Sequence, residues 1–155
     1  MKKIRIVSSG FDKETGISHV TIQTPKGSYT GYSNLQEEDK PYVSQMAGCR
    51  YAEIKAHMKM LDAEIKEIKC QLHAFERFYN NASRSWRFNE SGYEARKMRR
   101  EMHGFREKIQ ELEGLKADMH KTLMDAVDSR QKEIQKLNRG VEVVRKIREQ
   151  KTKNG

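Results

Sequence analysis

The sequence predicts an α+β, mainly α fold: a small N-terminal antiparallel β-meander followed by a long antiparallel helical hairpin of coiled-coil type. Three observations carry this expectation. Apolar residues alternate with polar ones near the N-terminus, they recur at 3,4 spacing from residue 51 onward, and breakers interrupt that second pattern near residues 80–92. The 155 residues suit one domain with an extension. Charged residues make up 34% and apolar residues 35% of the chain, enough to bury a narrow seam but hardly a broad interior.

Ile4 and Ile6, then Val20 and Ile22, alternate with polar neighbours, the period-2 signature of half-buried strands. Asp12-Lys-Glu-Thr-Gly16 reads as a hairpin connection. Pro25-Lys-Gly27 reads as a second turn, proline presetting φ and glycine permitting positive φ. Strands are therefore expected over residues 3–10, 17–24 and 28–33. So small a meander is marginal alone and needs a helix on one face. Pro41 suits the first turn of a short helix reaching toward Met46, and Gly48 reads as a break after it.

Positions 51, 54, 58, 61, 65, 68, 72, 75, 79 and 82 hold Tyr, Ile, Met, Leu, Ile, Ile, Leu, Phe, Tyr and Ala. An unbroken apolar set at that spacing arises by chance about once in 10⁴–10⁵ for a fixed register, so it marks an a/d seam. The first helix is expected over 49–81, with Cys49 and Cys70 on its outer positions. Asn80 to Gly92 holds breakers and caps, and Ser91 is a candidate cap for a second helix. That helix has its seam at Met98, Met102, Phe105, Ile109, Leu112, Met119, Leu123 and Ala126, with Lys116 as one polar interruption. Ile134, Leu137, Val141 and Val144 resume the spacing one residue out of phase. A kink is therefore expected over 125–129, with Asp128 or Ser129 capping a separate last helix and the tail beyond Lys151 frayed. The expected organisation is a meander over 1–34, a linker with a short helix over 35–48, the hairpin over 49–128 and a basic C-terminal helix over 129–155.

A short connection forces two helices to run antiparallel. The first arm would reach about 50 Å and an unbroken second arm more than about 80 Å. The second arm thus either bends back or pairs with another chain, and a homodimer of four helices is favoured. The two cysteines, about 32 Å apart along one helix, cannot bridge and are expected as free thiols of a cytoplasmic protein. No apolar run approaches the roughly 18–20 residues of a membrane span. Met1-Lys-Lys3 is followed by no apolar stretch of a secretory signal, so none is expected.

Enzyme chemistry is not expected, and neither is a cofactor or metal. The chain has no nucleotide-binding glycine loop, no G-x-S-x-G, no H-E-x-x-H and no paired CxxC. Cys70-x-x-His73 has zinc-ligand spacing and His103 could approach it, but Cys70 reads as outward-facing and a fourth ligand is missing.

Lys and Arg number 31 against 22 Asp and Glu, a formal charge of +9. Two regions account for it: residues 84–100 sum to +4, residues 130–153 to +6, and the rest to −1. The first region interleaves cations with flat rings. Its candidate binding residues are Arg84, Trp86, Arg87, Arg96, Arg99 and Arg100, with Arg96, Arg100 and His103 forming a stripe at i, i+4 and i+7. Arginine forks match phosphate, and aromatic faces stack on bases or on the arginines themselves. The expected partner is anionic: nucleic acid, a nucleotide or an acidic protein surface. Two structural alternatives stay open: Trp86, Phe88 and Tyr93 plugging the open end of the hairpin, and the arginines forming a merely solvated face. A C-terminal run of Lys and Arg interacts favourably with the helix dipole whatever its function.

The opening strands, the segment Ala47-Gly-Cys-Arg-Tyr-Ala-Glu-Ile-Lys-Ala56 and the helical hairpin resemble small accessory proteins carried by phages and integrative elements of Gram-positive bacteria. The similar part covers residues 1–80. The resemblance implies a role in host takeover, DNA metabolism or anti-defence, including inhibition of a host nucleic-acid-targeting complex. The expectation is thus a non-enzymatic basic binding protein; the alternative is a coiled-coil scaffold or adaptor acting through protein contacts only.

Overall fold

A computed structural model of the chain describes residues 3–34 and 44–154. Three strands, β1 (Arg5–Asp12), β2 (Ile17–Thr24) and β3 (Gly27–Asn34), form an antiparallel sheet in the order β1-β2-β3. Two helices follow, α1 (Gln45–Ser83) and α2 (Tyr93–Asn154). The α+β, mainly α architecture expected from the sequence is the one observed. The residues of the expected short helix before Ser44 lie outside the described residues.

Local chemistry makes each turn of the meander. The Asp12 carboxylate accepts the Glu14 backbone N–H at 2.9 Å, and Gly16 closes the loop at φ 71° with its N–H on the Asp12 carbonyl. The Glu14 N–H on this carboxylate, with a smaller contribution from Thr15, holds the Asp12 carboxyl below its ordinary value. At the second turn the Thr24 hydroxyl donates to the Gly27 carbonyl at 3.0 Å and accepts the Lys26 N–H. The Lys26 ammonium then reaches Glu67 on α1 at 3.0 Å, and this hydrogen-bonded pairing raises the lysine pKa.

The sheet buries one face. Val20 and Ile22 are fully buried against Ala52 and Ala56 of α1, while the Thr21 and Thr30 hydroxyls pair at 2.8 Å across β2 and β3. α1 lies over β2 and β3 and barely touches β1, so Ile4, Ile6 and Val7 stay exposed at the sheet edge. Helix and sheet come unusually close. A Cβ on Gly31 would collide with the Ala52 carbonyl and lie 2.6 Å from the Ala56 nitrogen; one on Gly48 would collide with the Ser18 hydroxyl. Gly48 therefore does not break the helix. α1 starts at Gln45, capped by the Ser44 hydroxyl on the Ala47 N–H at 3.1 Å, because glycine is what lets the first turn pass the sheet. The same geometry draws Cys49 inward: it is half-buried against the core, not on the outer face expected, while Cys70 is exposed and both are free thiols.

The opposite face of α1 carries the seam. Leu61, Ile65 and Leu72 join Met102, Ile109 and Leu112 of α2 in one buried cluster, with Ile68, Phe75, Tyr79, Phe105 and Met119 packed on it. Cross-helix pairs fix an antiparallel register: Asp62–Lys116 at 2.6 Å, Lys69–Glu113 at 3.4 Å and Glu76–Arg106 at 3.1 Å. Lys116, the polar interruption in the seam, thus has its carboxylate. Phe75 and Phe105 meet at 5.4 Å.

α2 overturns the expected kink. It is one helix of 62 residues, about 93 Å long, with no separate cap at Asp128 or Ser129 and with residues 151–154 still helical. The phase slip after Ala126 is a change of apolar face. Backbone hydrogen bonds do not depend on which face is apolar, and no proline interrupts the segment. The Tyr51 hydroxyl reaches the Ala126 carbonyl at 3.4 Å, and Arg130 pairs with Glu133 at 3.1 Å across the slip. α1 has only 39 residues, so the far end of α2 runs on without it.

Candidate anion-binding bend

The bend between the helices is a series of short hydrogen-bonded turns. Ser85 donates to the Ala82 carbonyl, Phe88 to the Ser85 carbonyl and Gly92 to the Asn89 carbonyl, each at 3.0 Å. The Asn89 side chain accepts both the N–H and the hydroxyl of Ser91. Ser91 is therefore not the cap expected of it: Gly92 stands between it and α2, and its hydroxyl turns back to Asn89. α2 instead begins from Gly92, whose carbonyl accepts the Arg96 N–H at 3.1 Å.

The structure divides the six candidate residues. Arg84, Trp86 and Arg87 sit in the bend itself, all exposed, with the Arg87 guanidinium 4.9 Å from the Trp86 ring centre. Arg96 and Arg100 lie on the first turns of α2 in a shallow hollow with Tyr93, Arg99 and His103. The expected stripe is therefore real. Arg99 stands apart: it donates to the Tyr79 hydroxyl at 3.0 Å and to the Glu90 carbonyl at 2.8 Å, lacing the end of α1 and the bend to α2. Its role is positioning, because these two bonds already fix its guanidinium between α1, the bend and α2. Replacing Tyr79 by Phe removes one of these bonds and is expected to cost about 0.5–1 kcal/mol, a drop of about 1–4 °C in melting temperature. A differential scanning calorimetry trace checks it.

The aromatic plug is smaller than the sequence suggested. Only Phe88 turns inward, edge-on to Tyr79 at 5.4 Å. Trp86 is 87% exposed and Tyr93 64% exposed, so neither ring closes the hairpin. Arg84, Arg87, Arg96, Lys97 and Arg100 have no carboxylate partner among the described residues, whereas the shaft pins several of its cations across elements. Five cations without a carboxylate partner among the described residues, beside an exposed tryptophan, offer forked donors and a stacking surface to an anion.

His73 faces Glu76 at 3.4 Å and His103 faces Glu107 at 3.0 Å, and among the described residues no group of three His, Cys, Asp or Glu side chains converges on a metal position. A larger groove, unforeseen from the sequence, lies between Ile6 of β1, Met46 and Tyr51 of α1, and Ala126 and Arg130 of α2. It forms because α1 leaves β1 uncovered, and it is remote from the bend along the hairpin. No described helix is long and apolar enough to cross a membrane. No family model, no curated protein and no solved structure matches the chain.

Proposed function

We propose that the protein is a non-enzymatic binding protein whose basic bend grips nucleic acid, with Trp86 as a stacking surface and Arg84, Arg87, Arg96 and Arg100 as phosphate contacts. The observation that carries this reading is the exposed Trp86 beside Arg87, in a cluster of cations without a carboxylate partner among the described residues. A flat ring among arginines suits a base and its phosphate. The resemblance to phage accessory proteins supports a narrower form of the proposal, in which the bend occupies the anion-binding channel of a host defence complex.

Trp86 is the sole tryptophan of the chain, so intrinsic fluorescence reports on the bend directly. A single-stranded oligonucleotide is expected to quench it. With four arginines on phosphates, affinity should fall roughly 50-fold between about 50 and 200 mM salt. Unchanged fluorescence and no retarded complex at about 50 mM salt would defeat the proposal. The second reading, an adaptor working through helix contacts, is favoured by a different observation: an exposed apolar stripe at the far end of α2.

A further inference from the structure

Every residue from Gln135 to Asn154 is exposed, yet the segment is helical and extends about 30 Å beyond Ile134, the last buried residue of α2. Leu137, Val141 and Val144 line up at 4,3 spacing, are 44–60% exposed, and continue the Ile134 line from the body of the hairpin. Ile147, 48% exposed, widens the stripe. Weak helix formers gather around the stripe itself, at Asn138, Gly140, Val141, Val143 and Val144, and helices in water draw most of their stability from packing. A Cβ on Gly140 would meet nothing within 4 Å, so nothing among the described residues uses the notch that it leaves.

The charges around the stripe point to its occupant. Lys136, Arg145 and Arg148 border the groove formed by Leu137, Gly140, Val141 and Val144. At 100° per residue, Glu142 and Glu149 fall on the far side of the helix, and Glu149 is turned to Arg145 at 3.8 Å. The segment holds seven Lys or Arg against those two glutamates, a net +5. Like charge opposes a second copy laid along the same stripe. The segment has no aromatic residue to seat among lipid headgroups. An apolar seam with cationic borders matches a helix with an apolar seam and acidic borders, as flanking charges do in coiled coils.

We propose that residues 135–154 are a docking site for an acidic amphipathic helix of a partner protein, laid antiparallel or parallel along Leu137, Val141 and Val144, independent of the bend. The probe is a three-heptad synthetic peptide with leucine at a and d and glutamate at e and g; its control carries lysine at e and g. Fluorescence anisotropy with the full chain is expected to show binding of the Glu peptide at least about tenfold tighter than of the Lys peptide. Val141→Asp with Val144→Asp should abolish that binding. Lys136→Glu with Arg145→Glu and Arg148→Glu keeps the seam and should reverse the preference, which separates docking from loss of the helix. The proposal is overturned if neither peptide binds, or if both bind alike. It is also overturned by dimerisation in sedimentation that Val141→Asp removes, which would assign the stripe to a second copy. Co-sedimentation with phosphatidylserine vesicles that Val141→Asp removes would assign it to a membrane.

Discussion

Gly31→Val is expected to lower stability by about 3 kcal/mol or more, seen as a melting temperature roughly 6–12 °C below that of the parent protein. The cause is local. β3 passes α1 with no room for a side chain, and the atoms in the way are the Ala52 carbonyl and the Ala56 nitrogen. Both belong to the helix backbone, so neither can rotate aside. The sheet must lift from α1, uncovering Val20 and Ile22, the two largest fully buried side chains. Ala52→Gly should not rescue the variant, because it removes a methyl group that is not the obstacle. Gly114→Ala serves as the control: nothing lies within 4 Å of its Cβ, and a neutral to slightly stabilising effect is expected. A Gly31→Val protein melting with the parent would mean that the helix does not ride on the sheet at this distance.

The double reversal Arg96→Glu with Arg100→Glu is expected to weaken oligonucleotide binding by about 100-fold or more near 50 mM salt while leaving the melting temperature within about 1–2 °C. Both side chains are exposed and bond to no other side chain among the described residues, so folding should not register their loss. Binding should register it twice: two phosphate contacts disappear and two repulsive charges replace them. The salt dependence separates this from a generic charge effect. Four contacts on a single strand correspond to a slope of about −2.8 in log K against log salt, and two contacts to about −1.4. A variant with the parental slope would place the contacts elsewhere on the chain. The same reversal should leave the binding of the acidic peptide at residues 135–154 unchanged, since on α2 the two places are about 60 Å apart.

Much of this architecture was legible before any coordinates. The seam from Tyr51 to Ala82 announced itself because a helix that buries one face must repeat apolar residues every three or four positions. Its mate from Met98 to Leu123 did the same, and the breakers between them dictated the hairpin. The strands were visible in the alternation around Val20 and Ile22. Glycine and apolar phase do not punctuate helices in this chain. Gly48 sits inside a helix because of what lies across from it. The slip after Ala126 left the backbone untouched, since α1 runs out near that point and no partner within the chain demands the old face. Ser91 had the right chemistry for a cap, but Asn89 already held its hydroxyl.

The candidate site was legible in composition and not in roles. Six residues named by type and spacing divide into exposed cations, a stacked pair and one structural brace. Arg99 is distinguished from Arg96 and Arg100 only by facing Tyr79 and the Glu90 carbonyl. No sequence pattern encodes that difference, because it arises from where the end of α1 stops. Trp86 and Phe88 are likewise two residues apart and opposite in exposure.

What the residue order determined alone is periodicity: which stretches are strand or helix, which helix faces are apolar, and where charge accumulates. Those follow from covalent repeat distances and side-chain type, which are local. What only the tertiary structure decided is approach: Gly31 against Ala52 and Ala56, Arg99 across the bend, and an α2 that runs past its partner with an apolar stripe uncovered. These depend on where two separately formed elements come to rest, and small residues such as Gly31, Ala52 and Ala56 acquire meaning only when a neighbour fills the space that they leave.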